Sequence, residues 1–263
     1  MSKLGYKRGI YSWFIQDLLA DTIGLANVCN VLNLNEVYQE IPVLNLNSEL
    51  VIAIQILQSK TSNTISISQL VGDPSWYNDS TQPKAQIDAL ITFNKGVGAS
   101  CPINKIVFDI EAWDVKTTGW ENDYLAMIKT VYTYAKSNNI NMALVLPYWI
   151  TTVDKVNFYQ EVIDNCDEVM VMNYNRNTYE TAMDSIVNYA KTNNKVLYSI
   201  AEFQPPNSTI TENTTYFNIG INTVIQNWLT LQEKYSYNYL SFAYDDYTAI
   251  RSLLTNAVIL QFN

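Results

Sequence analysis

At 263 residues the chain has room for one large domain or two small ones, and 48% hydrophobic against 16% charged residues gives it ample material for a core. Its net charge of −9 repels a phosphate backbone, which argues against nucleic acid as a partner. It contains no histidine, so Ser-His-Asp triads, His-activated cysteines and His-ligated zinc are excluded, and proton transfer falls to Asp, Glu, Tyr, Lys or Cys.

The opening MSKLGYKRGIYSWF has no apolar h-region and no small-residue cleavage site, so no signal peptide is expected. The chain reads as cytoplasmic, or as a secreted protein whose leader has been trimmed. The first strand is RGIYSW (8–13), followed by a helix IGLANVCNVLN (23–33) and a strand EVYQEIP (36–42). SELVIAIQILQS (48–59) fits helix or strand by pattern; its length and its place in the alternation make it a helix. The strand TISISQL (64–70) runs into the turn GDPSW (72–76), and a helix AQIDALITFNKGV (85–97) leads to the fourth strand, KIVFDIE (105–111). Then come a long helix (124–139), a strand NMALVLPYW (141–149), a helix (155–165) and a strand DEVMVMNYN (167–175). A helix (181–194), a strand KVLYSIAEF (195–203), a helix (224–236), a strand YLSFAYDD (239–246) and a closing helix complete the chain. No apolar run approaches the ~18 residues of a membrane span, so no membrane partner is expected. Cys29, Cys101 and Cys166 are odd in number and far apart, and read as small buried hydrophobes rather than as disulfides or metal ligands.

Repeated βα units make parallel strands, and eight of them in about 250 residues predict a single (β/α)8 barrel over residues 1–263. An open doubly wound sheet is the alternative; it would usually have fewer strands, and the Gly-rich first turn it often carries is absent. Barrel active sites lie at the C-terminal ends of the strands. Side chains alternate along a strand, so Val107, Asp109 and Glu111 share one face, while Ile106, Phe108 and Ile110 are suited to pack on helices. Asp109 should therefore point into the barrel and Glu111 stand at its mouth. Two carboxylates this close repel, and one should be held protonated beside an ionised partner. A structural ion pair or strand-end cap is the other reading. It is weakened because only Arg176 supplies a cation near the predicted ends of strands four to eight.

VFDIE resembles the D-x-D-x-E signature of the family 18 glycoside hydrolases, the chitinase-like barrels, with Val107 in place of the first Asp. On the sixth strand, Met172, Tyr174 and Asn175 resemble the same family's M-x-Y-D/N. The resemblance implies that Glu111 is the general acid for the glycosidic oxygen. It implies that Asp109 orients and stabilises an N-acetyl group acting as internal nucleophile, and that Tyr174 bonds that acetamido group. Substrate assistance is a known exception to the two-carboxylate scheme. The chain departs from the family in two places: Val107 cannot hold Asp109 in its working orientation, and SQLVGDPSW stands where a Gly-Gly signature is usual.

Other groups collect at the mouth. Glu202 ends strand seven, and with Glu111 it resembles the acid/base and nucleophile pair of a large glycosidase clan, whose carboxyls lie about 5 Å apart. Ser199 and Ala201 read as lumen residues, however, which would turn Glu202 aside. On strand eight, Ser241 and Ala243 suit the lumen, so Asp245 should point inward. Glu40 ends strand two, and Asp73 is as readily a turn cap as a ligand. Aromatics gather at the same ends: Tyr11, Trp13, Trp76, Tyr77, Trp113, Tyr148, Trp149 and Phe203. They suit stacking on sugar rings. The reading is a carbohydrate-active barrel that hydrolyses a glycosidic bond. Its catalytic residues are Glu111, Asp109 and Tyr174. Trp13, Trp76, Trp113, Tyr148, Trp149, Asn175, Glu202 and Asp245 bind substrate. No cofactor and no metal are implied, and the expected partner is an oligo- or polysaccharide. The alternatives are a non-catalytic glycan-binding barrel and a hydrolase that holds a hard cation in its acidic mouth.

Overall fold

The computed structural model describes residues 4–98, 101–115, 117–153 and 155–261, the side chains of 256–261 excepted. Its eight strands are β1 (Arg8–Ser12), β2 (Glu36–Glu40), β3 (Ser66–Val71), β4 (Lys105–Phe108), β5 (Asn141–Pro147), β6 (Glu168–Met172), β7 (Val196–Glu202) and β8 (Leu240–Asp245). Each pairs in parallel with the next, and β8 pairs back onto β1 through Gly9 and Ala243, closing the (β/α)8 barrel. The helices α1 (Ile15–Leu19), α2 (Thr22–Val31), α3 (Ser48–Lys60), α4 (Thr81–Val97), α5 (Trp120–Ser137), α6 (Phe158–Asp164), α7 (Asp184–Thr192), α8 (Ile221–Tyr235) and α9 (Tyr247–Gln261) lie between and after the strands. SELVIAIQILQS is a helix; Asn47 Oδ1 caps it by accepting the backbone N–H groups of Glu49 and Leu50.

Period-2 alternation divides the apolar residues into two cores. Ile106, Phe108 and Ile110 join the large core between sheet and helices, while Val107 joins Tyr11, Tyr38, Leu70, Ala143, Val145, Met170, Tyr198, Ile200 and Ala243 in the lumen. The lumen accepts three tyrosines because small residues stand beside them. A Cβ on Gly9 would lie 2.4 Å from the Tyr38 ring.

The floor of the barrel is ionic. Lys105 Nζ lies 2.8 Å from Glu36 and 2.9 Å from Glu168, and Lys7 Nζ lies 2.7 Å from Glu168. These residues begin or precede their strands, so the group sits at the end opposite the mouth.

Candidate active site

β4 is short, but its pairing with β3 runs one residue further, because the Asp109 N–H donates to Val71 O at 2.9 Å. Gly72 makes that possible. A Cβ there would stand 1.8 Å from the Asp109 carbonyl oxygen, so only glycine lets the two strand ends come this close. Asp109 follows the buried Val107 on the lumen face, and its Oδ1 is buried without a hydrogen-bond partner. Burial pushes the Asp109 carboxyl well above its ordinary range, and the charges of Glu111 and Asp245 add to this. Both effects favour the neutral form of the side chain. Glu111 stands half-buried just before the 3-10 turn Ala112–Val115. Burial, the neighbouring Asp114 carboxyl and the charge of Asp245 push it up to about 7. Half of it is then protonated near neutral pH, the condition that suits a general acid.

Asp245 is buried at the end of β8, with both carboxylate oxygens engaged. Oδ1 accepts from Trp13 Nε1 at 2.8 Å and Oδ2 from the Tyr174 hydroxyl at 2.7 Å. Burial raises its carboxyl, the two hydrogen bonds pull it back, and it comes to about 6. The Asp245–Asp246 peptide bond is cis.

Glu202 is the register partner of Asp245 across β7 and β8. Tyr198 and Ile200 fill the lumen, so Glu202, two residues on, lies on that face, whereas Leu197, Ala201 and Phe203 pack outward. This corrects the assignment of Ser199 and Ala201 to the lumen. Small side chains suggested a tight interior, but the space is supplied by Gly9, Ala143 and Ala243 on other strands, which leaves room for Tyr198. Glu202 is 3% exposed, accepts the Gln204 N–H at 2.6 Å, and is pushed up to about 8 by burial and by Asp245.

The remaining acids are divided. Asp246 caps α9, accepting the Ala249 N–H at 2.9 Å. Asp73 is exposed and accepts from the Ser75 backbone and hydroxyl, bonds that hold its carboxyl low; it is a turn cap. Glu40 is half-buried at the end of β2, and burial raises its carboxyl. Asp114, which bears on Glu111, was not singled out in the sequence. Its signal was the spacing of three residues, which returns to the same side in a helical turn. Arg176 does not neutralise these groups: its guanidinium bonds the Glu212 carbonyl and lies over the Tyr216 ring. Among the described residues no three Cys, Asp or Glu side chains are grouped to hold a metal ion.

Of the aromatics, Tyr11 and Phe203 are fully buried core residues and present no face to a ligand. Trp13, Trp76, Tyr77, Trp113, Tyr148 and Trp149 are half-buried. Trp113 packs edge-on between Trp120 and Trp149, at 6.3 and 5.7 Å. Tyr148, Tyr174 and Asn175 line one cavity of about 330 Å³, together with Thr211, Asn213 and Thr214. A second, of about 530 Å³, is lined by Trp13, Gln204, Pro205, Phe217 and Asp246. Trp13 walls one and Tyr174 the other, so Asp245, bonded to both, lies between them. Asn175 also supports its own loop, since Oδ1 accepts the Asn177 N–H.

No protein-family model matches the sequence, and no curated protein resembles it in sequence. Solved structures resemble it in fold. A GH18 chitinase from Pseudoalteromonas aurantia has a TM-score of 0.61 at 14% identity, over 95% of this chain and 99% of that one. The spore cortex-lytic enzyme SleL of Bacillus megaterium QM B1551 has 0.56 at 10% identity, over 95% and 73%. D-psicose 3-epimerase of Clostridium cellulolyticum H10 has 0.53 at 14% identity, over 93% and 89%. In fold, then, the chain is a (β/α)8 barrel similar to those of a chitinase, a spore cortex-lytic enzyme and an epimerase.

Proposed function

We propose that the barrel binds an oligo- or polysaccharide across its mouth and hydrolyses a glycosidic bond, with Glu111 as proton donor. The observation that carries this reading is the Glu111 carboxyl, raised to about 7 at a strand-four end beside the buried Asp109, whose carboxyl is also raised. Protonated Glu111 gives its proton to the leaving oxygen and then, as carboxylate, takes one from the water that attacks the anomeric carbon and displaces the N-acetyl oxygen from it. Asp109 bonds the N-acetyl group of the substrate, whose carbonyl oxygen attacks the anomeric carbon, and Tyr174 bonds the same group.

Glu202 is a poor candidate for a nucleophile. A carboxyl raised to about 8 is mostly protonated at neutral pH, and a nucleophile must be ionised. That supports substrate assistance over the two-carboxylate route. A second reading, a glycan-binding barrel without turnover, is favoured by the unpartnered Asp109 Oδ1 above Val107. The test is Glu111→Gln, with turnover and calorimetric affinity measured on acetylated and non-acetylated oligosaccharides. General acid catalysis is worth about 10²–10⁴-fold, so kcat should fall by that order with affinity little changed. Trp149→Ala should weaken binding first. Sugar binding without wild-type turnover favours the second reading, and equal turnover by wild type and variant removes Glu111 from the mechanism.

A further inference from the structure

We infer that Asp245 is a positioning residue and not a substrate ligand: its two oxygens clamp the Trp13 indole and the Tyr174 hydroxyl, fixing the walls of the two mouth cavities. In its kinetic part this rests on the hydrolase reading above. The clamp itself rests on geometry. Asp245 is 5% exposed, and each oxygen already takes a hydrogen bond, at 2.8 Å from Trp13 Nε1 and 2.7 Å from the Tyr174 hydroxyl. A carboxylate with both oxygens committed and little exposure has poor access to a sugar. Its donors come from two other strands: Trp13 follows β1, the neighbour of β8, and Tyr174 stands two residues beyond β6. Bonds to an ionised acceptor are the strong ones, so a single charge ties three strand ends together.

The clamp also determines what each aromatic offers. An indole has one N–H and a phenol one proton, and both are given to Asp245. Trp13 thus meets a ligand with its ring alone, and Tyr174 meets it with oxygen lone pairs. Neither side chain can rotate to follow a ligand without abandoning a charged partner.

The groups around Asp245 explain why its charge matters beyond the clamp. Glu202 faces it from β7, Asp246 from the next position before α9, Tyr11 from β1, and Asp109 and Glu111 from beyond the end of β4. The Asp245 charge helps to raise Asp109, Glu111 and Glu202 together. One side chain therefore orients Tyr174 and helps to keep the acid protonated.

The test has two arms. In the first, the Trp13 indole N–H resonance, assigned with Trp13→Phe, is followed against pH by ¹H–¹⁵N spectroscopy. It should move with a first midpoint near 6 in the wild type and lose that step in Asp245→Asn. Tyr174→Phe removes a bond that lowers the Asp245 pKa, so the midpoint should shift to higher pH; this variant carries the test if Asp245→Asn does not fold. In the second arm, Asp245→Asn should lower kcat by about 10²-fold, since a small misplacement near the reacting atoms costs that much. Adding Tyr174→Phe should cost less than Tyr174→Phe costs in the wild type, because both changes break the same contact and only the bond to the acetamido group remains to be lost. The basic limb of the pH–rate profile should move to lower pH, as losing a negative charge lowers the Glu111 pKa. A purely structural role would leave that limb in place. A Trp13 resonance indifferent to both variants overturns the clamp. An intact Trp13 titration with no wild-type turnover on any oligosaccharide overturns the hydrolase reading and leaves the clamp standing.

Discussion

Asp109 Oδ1 is shut from solvent without a partner, two residues beyond Val107. That Asp109 would follow Val107 onto the lumen face was legible in the sequence, because alternation fixes the facing along a strand once one residue is placed. Its protonation was legible only as a direction. It depends on burial by other strands and on Asp245, more than a hundred residues away in sequence. The raised Asp109 carboxyl has a consequence for stability. At about pH 3 it is protonated in folded and unfolded chains alike, and its contribution is fully present. As pH rises the unfolded chain ionises first, and the contribution is lost until the raised folded pKa is passed. Asp109→Asn keeps the shape and removes that loss. Urea unfolding should find the variant level with wild type near pH 3 and more stable at pH 7. Parallel pH dependences in the two proteins would mean that folded Asp109 ionises freely.

Elements were legible where their period was clean, and the phase within an element was legible only where its residues were unambiguous. The alternation of strands and helices, and with it the barrel, followed from the chain order. β4 could be phased because Ile106, Phe108 and Ile110 are large on one side and the carboxyls lie on the other. β7 misled, because Tyr198 and Ser199 both fit an interior whose width is set by Gly9, Ala143 and Ala243 on other strands. Gly72 belongs to the same class. The turn GDPSW could be read locally, but the need for glycine comes from β4, whose Asp109 carbonyl occupies the space a Cβ would take. Gly72→Ala must push the ends of β3 and β4 apart, since both colliding groups are backbone. We expect a loss of about 2–4 kcal/mol in urea unfolding, with activity reduced further as Asp109 is displaced. Gly9→Ala meets the Tyr38 side chain instead, and is the comparison. A stable, active Gly72→Ala would mean that the strand ends are free to separate.

Across the whole molecule the carboxyls are sorted by end. At the mouth Asp109, Glu111, Glu202 and Asp245 have no cation partner among the described residues and are raised; at the floor the carboxyls are paired. Burial alone would raise Glu168, but the charges of Lys105 and Lys7 overcome it and hold its carboxyl below the usual range. The Glu168 contribution to stability is therefore present above the unfolded pKa and lost as pH falls through the folded one. Lys105 is the buried centre of this group, bridging Glu36 and Glu168, with the Tyr38 ring 5.7 Å from its ammonium. Lys105→Met fits the same space and leaves two buried carboxylates with only Lys7. Breaking a buried pair by removing one partner costs about 3–5 kcal/mol, because the charge left behind is uncompensated. The deficit in Tm should be large at pH 7 and shrink below about pH 5, as Glu168, now relieved of Lys105, takes up a proton. Lys105→Met with Glu168→Leu leaves Lys7 beside Glu36, 3.4 Å away, and should recover part of the loss at pH 7. The lumen tyrosines separate the floor from the mouth, so the pH profile of any turnover should not move in either variant. A Lys105→Met protein as stable as wild type at pH 7 would mean that water reaches the floor and solvates the carboxylates without the lysine.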